Sequence, residues 1–224
     1  MLHTERPCEP TIMSHPSFDR ASDRSTPGES AAARFERSLF IGYEQWHDGV
    51  GYDIAALREM TADQRRGIEA RFTPPDGWRD VEALAVIATL GSESARAELR
   101  RVATAGSAET RLAVLRYAPE LVDDAARTKA LVEALDNATA FDSFTTTLEQ
   151  VAAFHPPPVV DALWRGLETR QGDVAMHYAG MLAFLHGKAD SSFDWALRPL
   201  LMEFKTEDGV ARRAAIGKLR TRVG

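Results

Sequence analysis

From Asp53 onward the chain is a succession of short segments, each carrying apolar residues at helical spacing and most opened by a side chain that can cap a helix. Asp53 can cap a helix through Met60. Thr61-Ala62-Asp63-Gln64 has the capping-box pattern for the next, through Phe72, before Pro74-Pro75-Asp76-Gly77 breaks the chain. Val81, Leu84, Ala85 and Ala88 then fall at i, i+3, i+4 and i+7. Gly91 ends that helix and Ser92 opens one with Ala95, Leu99 and Val102 on one side. Gly106 and Ser107 repeat the punctuation ahead of Leu112, Leu115 and Tyr117. Further helices are predicted over 123–137, 142–154, 157–170, 173–186, 194–204 and 207–222.

Helices of this length joined by very short turns must fold back antiparallel on their predecessors. Alternate helices start near residues 80, 108, 142 and 173, an approximate period that signals a degenerate helical repeat rather than a closed four-helix bundle. No β-rich segment interrupts the series. The predicted fold is therefore all-α, a HEAT-like α-α superhelix of stacked antiparallel helix pairs spanning residues 34–224.

Residues 1–33 have another character. Pro7, Pro10, Pro16, Pro27 and many Ser and Thr give no periodicity, so they are predicted to form a disordered N-terminal extension, with Met13 as an alternative start. Helical order is expected from about Phe35. The single cysteine, Cys8, excludes an internal disulfide, and no apolar run is long enough to cross a membrane. With no signal-peptide pattern, a cytoplasmic location is expected. The formal net charge of −6 argues against a nucleic-acid partner, which needs clustered cations.

Ala108-Glu109-Thr110-Arg111-Leu112-Ala113-Val114-Leu115 and Asp80-Val81-Glu82-Ala83-Leu84-Ala85 resemble the helix starts of bacterial HEAT-like repeats. Trp46-His47-Asp48-Gly49, Tyr52-Asp53 and Trp78-Arg79-Asp80-Val81 are similar to stretches of uncharacterised bacterial HEAT-repeat-domain proteins. The resemblance covers roughly residues 40–224, with irregular spacing and a departure at Pro156-Pro157-Pro158. It implies a scaffold that binds another macromolecule, and it carries over no catalytic residue.

The candidate functional residues divide into two groups. Trp46, His47 and Asp48 lie in an aromatic, glycine-rich stretch that can anchor a partner or cover the exposed end of the first helical pair. Glu133, Asp161, Trp164, Arg165 and Glu168 are expected to line an acidic patch, because residues 119–173 hold ten acidic against four basic side chains. Such a patch would steer a basic partner, as in an immunity protein that binds a nuclease-type toxin.

Other chemistry finds little footing. Glu44-x-x-His47 has di-iron spacing but no second copy, so neither metal nor cofactor is expected. Residues 180–188 end in Gly-Lys yet have Leu182 where a phosphate loop needs Gly. His177 is read as a core or partly buried histidine, and His186 as a helix-end cation beside Gly187. Phe193-Asp194-Trp195 is compatible with the carboxylate of a HEAT-like-repeat DNA glycosylase, or with an ordinary Asp194 cap whose aromatic neighbours pack back on the preceding helix. The basic residues of 205–224 suit a solvated capping helix. A non-enzymatic protein-binding scaffold is the expected function, with the glycosylase as the alternative.

Overall fold

A computed structural model describes residues 28–40, 42–139 and 144–224. Among these are thirteen α-helices and no strand. They are α1 Ala31–Ser38, α2 Tyr43–His47, α3 Ile54–Glu59, α4 Ala62–Arg71, α5 Trp78–Thr89, α6 Glu93–Ala105 and α7 Ala108–Tyr117. They continue as α8 Asp124–Asp136, α9 Phe144–Ala153, α10 Pro157–Thr169, α11 Gly172–Leu185, α12 Arg198–Met202 and α13 Gly209–Val223.

Local chemistry sets most boundaries. The side chains of Asp53, Ser92, Ser107 and Asp123 each accept a backbone N–H in the first turn of the helix that follows. Thr61 and Gln64 close a full capping box at the start of α4. Pro157 and Pro158 occupy the first turn of α10, where the absent N–H has no intrahelical partner to lose. The proline triplet therefore starts a helix instead of interrupting the array.

Two boundaries differ from expectation. Among the described residues the first helix starts at Ala31, capped by the Ser30 hydroxyl, ahead of the expected Phe35. The predicted extension up to residue 27 lies outside the described residues, as does the start of the helix expected at Asp142. The segment 194–204 is not one helix: 3-10 turns at Trp195–Leu197 and Glu203–Lys205 flank the five-residue α12. Pro199 explains the first break, since it is accommodated in the first turn of a helix but would disrupt the interior of one begun at Asp194.

The helices pack in two layers. In one, α1 lies on α3, α3 on α5, α5 on α7, α7 on α9 and α9 on α11; in the other, α8 lies on α10 and α10 on α13. The helices α5, α7, α9 and α11 begin at residues 78, 108, 144 and 172, so the approximate sequence period corresponds to successive members of one layer. Each also packs on a sequence neighbour in the other layer, α5 on α6 and α10 on α11.

Position in the stack dictates burial. The expected stripe of α5 is buried, but so are Ala83, Val86 and Ile87, because α3, α7, α4 and α6 enclose this helix. The apolar helix α11 is enclosed likewise, from Val174 to Ala183. Two cores result, and α7 joins them. Leu112 and Leu115 belong to the C-terminal core, whereas Ala113 and Val114 belong to the N-terminal one.

Candidate functional site

On α10, Asp161, Trp164, Arg165 and Glu168 stand at i, i+3, i+4 and i+7, so they share one outward face. The expected acidic patch is nevertheless charge-balanced. Arg165 Nη2 is 3.1 Å from Asp136 on α8, and Arg220 Nη2 on α13 is 3.4 Å from Glu168. The Arg220 guanidinium also sits 5.5 Å from the Trp164 ring centre. Glu133 accepts a 2.6 Å hydrogen bond from Arg111 on α7. A ladder of ion pairs thus crosses α7, α8, α10 and α13, with Asp161 exposed beside it. Counting charges within 119–173 overlooks Arg111 and Arg220 because both lie outside that window.

A second constellation forms where the loop before α3 meets α5 and α7. Tyr52 stacks on Phe72, with ring centres 5.3 Å apart, and meets Phe35 edge-on at 5.8 Å. Its hydroxyl donates to Asp80 at 2.9 Å, and burial together with that bond pushes the phenol up to about 12. The loop backbone lies directly on α5: a Cβ at Gly51 would come within 3.0 Å of Glu82 Oε2 and 3.7 Å of the Trp78 ring.

Trp78 stacks on Tyr117 across α5 and α7, centres 6.4 Å apart at 17°. Arg79 lies 5.3 Å from the Trp78 ring and Arg116 lies 5.6 Å from that of Tyr117. Arg116 is drawn toward α9, 3.5 Å from Glu149. Glu82 is half-buried beside this pair and makes no hydrogen bond or ion pair among the described residues. Burial raises its carboxyl above the usual range, against the opposing pull of Arg116 and Arg58. Tyr117 is raised to about 12, first by burial and then by the Glu82 charge.

The sequence held one signal of this site. Glu82 is the only ionisable side chain in the run 81–88, which is otherwise buried along its length. Trp46 and His47 fall in α2, with side chains outside the described residues, and exposed Asp48 follows them. The stretch predicted for binding therefore reaches the new constellation through Gly51 and Tyr52, at its C-terminal end.

The remaining candidates have structural partners. Asp194 accepts backbone N–H bonds from Ala196 at 2.8 Å and Asp190 at 3.2 Å, which hold its carboxyl below the usual range. It is a cap. Phe193 meets His177 edge-on at 4.9 Å, as packing back on α11 predicts, but Trp195 is 74 % exposed, with the Arg198 guanidinium over its ring. His177 is half-buried between Phe144 and Phe193, and burial lowers its basicity. His186 closes α11, and Gly187 follows at φ +66°, the left-handed conformation a helix end commonly needs.

Among the described residues no cluster of His, Cys, Asp or Glu could hold a metal ion, and no helix is long and apolar enough to cross a membrane. Among the described residues the chain is all-α, with its helices in layers, and the Trp78–Tyr117 pair and most charged side chains lie outside the two cores. Comparison with protein families, with curated proteins and with solved structures found no match.

Proposed function

We propose that this chain is a non-enzymatic, cytoplasmic protein-binding scaffold with HEAT-like stacking, and that the face formed by Trp78, Glu82 and Tyr117 engages its partner. The observation that carries this reading is Glu82, a half-buried carboxylate with no donor among the described residues, set beside two stacked aromatic rings. Burying such a group costs stability unless a hydrogen bond compensates it. A partner that donates to Glu82 and covers the rings would regain that loss, and tryptophan and tyrosine commonly anchor such contacts.

A basic partner remains the specific version of this proposal. Its support is the net charge of −6, which attracts cations at long range, and not the α10 face, where arginines offset the carboxylates. The alternative, a DNA glycosylase, would rely on an Asp194 whose two oxygens each cap a backbone N–H, which lowers its basicity.

The test is crosslinking and affinity capture with the full chain in native lysate. Glu82→Gln and Trp78→Ala should each reduce recovery of the dominant partner at least tenfold, about 1.4 kcal/mol. Asp161→Lys with Glu168→Lys, which moves the net charge from −6 to −2, should weaken recovery less than either variant on the Trp78 face. Equal recovery by all variants would refute it.

A further inference from the structure

The C-terminal end of the stack differs from the rest of the molecule. An open cleft of about 510 Å³ runs between α12 and α13, with Ala196, Pro199, Leu200 and Glu203 on one wall and Lys218, Thr221 and Arg222 on the other. Trp195, the residue before Ala196, and Met202 are 74 % and 46 % exposed. Such large apolar side chains would ordinarily face a core. The Arg198 guanidinium lies 4.7 Å from the Trp195 ring centre, making this aromatic surface cationic at its edge.

The local charge opposes that of the whole chain. Helix α13 contains Arg212, Arg213, Lys218, Arg220 and Arg222 and no acidic residue. Three of these are engaged: Arg212 is buried and donates to the Arg170 and Glu207 carbonyls, Lys218 pairs with Glu203 at 2.7 Å, and Arg220 pairs with Glu168. Arg213 and Arg222 have no ion-pair partner among the described residues, nor has Arg198. Asp194 is the nearby carboxylate that senses Arg222, and its oxygens already accept backbone N–H groups.

We infer that the α12–α13 cleft is a second docking site, taking an acidic protein segment that inserts a large apolar side chain against Leu200 and Pro199 and sets carboxylates on Arg198 and Arg222. Charge complementarity selects this occupant: the lining carboxylate Glu203 is neutralised by Lys218, which leaves the guanidiniums of Arg222 in the cleft and of Arg198 next to Pro199, and a carboxylate can meet a guanidinium through two parallel hydrogen bonds. The opposite sign of the remaining surface orients an acidic segment toward this end and away from the others. A phosphate backbone would need more free cations along a track than two or three at one cleft. The site shares no residue with the Trp78–Glu82–Tyr117 face, so each stands or falls separately.

A random-peptide display selection on the full-length protein tests this, followed by titration of enriched peptides while the Trp195 indole N–H is monitored by NMR. Enriched sequences should combine Asp or Glu with Phe, Leu or Trp and shift the Trp195 signal. They should bind at least tenfold more weakly to Arg198→Glu with Arg222→Glu, and more weakly again at higher salt. Both arginines are exposed, so the double variant should keep the wild-type melting temperature. Selection yielding no acidic sequences, or acidic peptides that bind the folded double variant equally well, overturns the proposal. So does a duplex DNA 20-mer that shifts Trp195 at lower concentration than every selected peptide.

Discussion

The ring of Tyr178 on α11 occupies the space a side chain on Gly166 of α10 would need: a Cβ there would lie 2.3 Å from Tyr178 Cε2. The same tyrosine is fully buried and donates a 2.6 Å hydrogen bond to the Leu135 carbonyl of α8. One side chain thereby ties three helices of the C-terminal core.

Gly166→Ala should therefore destabilise the protein by about 1–3 kcal/mol through overpacking, although glycine to alanine inside a helix ordinarily gains about 1 kcal/mol. Tyr178→Phe should cost about 1–3 kcal/mol by leaving the buried Leu135 carbonyl unpaired. Urea unfolding of both variants checks these values. A stabilised Gly166→Ala variant would show that α10 and α11 approach less closely than described.

Glu82 should make the fold less stable at neutral pH than it would otherwise be. Its folded carboxyl titrates above the ordinary 4.5, so protonated and folded are favoured together. That contribution is fully present below pH 4.5 and lost as pH rises through the folded value. Glu82→Gln should match the wild-type melting temperature near pH 4 and exceed it at pH 7. No difference at pH 7 would mean that Glu82 has a donor within the fold.

His177 should give the opposite dependence. Burial lowers its folded value below the ordinary 6.5, outweighing the opposing effect of Asp173. Its contribution is present above pH 6.5 and lost as pH falls through the folded value. Thermal melts of His177→Gln should lose less stability than wild type between pH 7 and pH 5. An unchanged slope would place the acid sensitivity elsewhere.

The ion-pair ladder on α8, α10 and α13 should contribute little to folding. Asp136, Arg165, Glu168 and Arg220 are all exposed, and such pairs are worth about 0–1 kcal/mol each. Glu168→Lys should shift the unfolding midpoint by no more than that. By contrast, Asp123→Ala, which deletes the α8 cap, should cost about 0.5–2 kcal/mol. Chemical denaturation of the two variants ranks them directly.

Much of the architecture was legible in the residues alone, where the controlling interactions span only a few positions. Capping hydroxyls and carboxylates, breaking prolines and apolar spacing act within one or two turns, and they place most helix starts and the all-helical class. The same locality misled at Pro199, whose effect on 194–204 depends on where the helix begins.

What only the tertiary structure decided is which side chains meet. Arg111 with Glu133 and Glu168 with Arg220, 22 and 52 residues apart, turned an expected acidic patch into a balanced one, and Tyr178 reaches the Leu135 carbonyl across 43 residues in the core. Trp78, Glu82 and Tyr117 likewise become neighbours only when α7 is laid on α5. Helix formation answers to nearest neighbours in the chain. Charge balance and exposure answer to packing, and packing is set by all the helices at once.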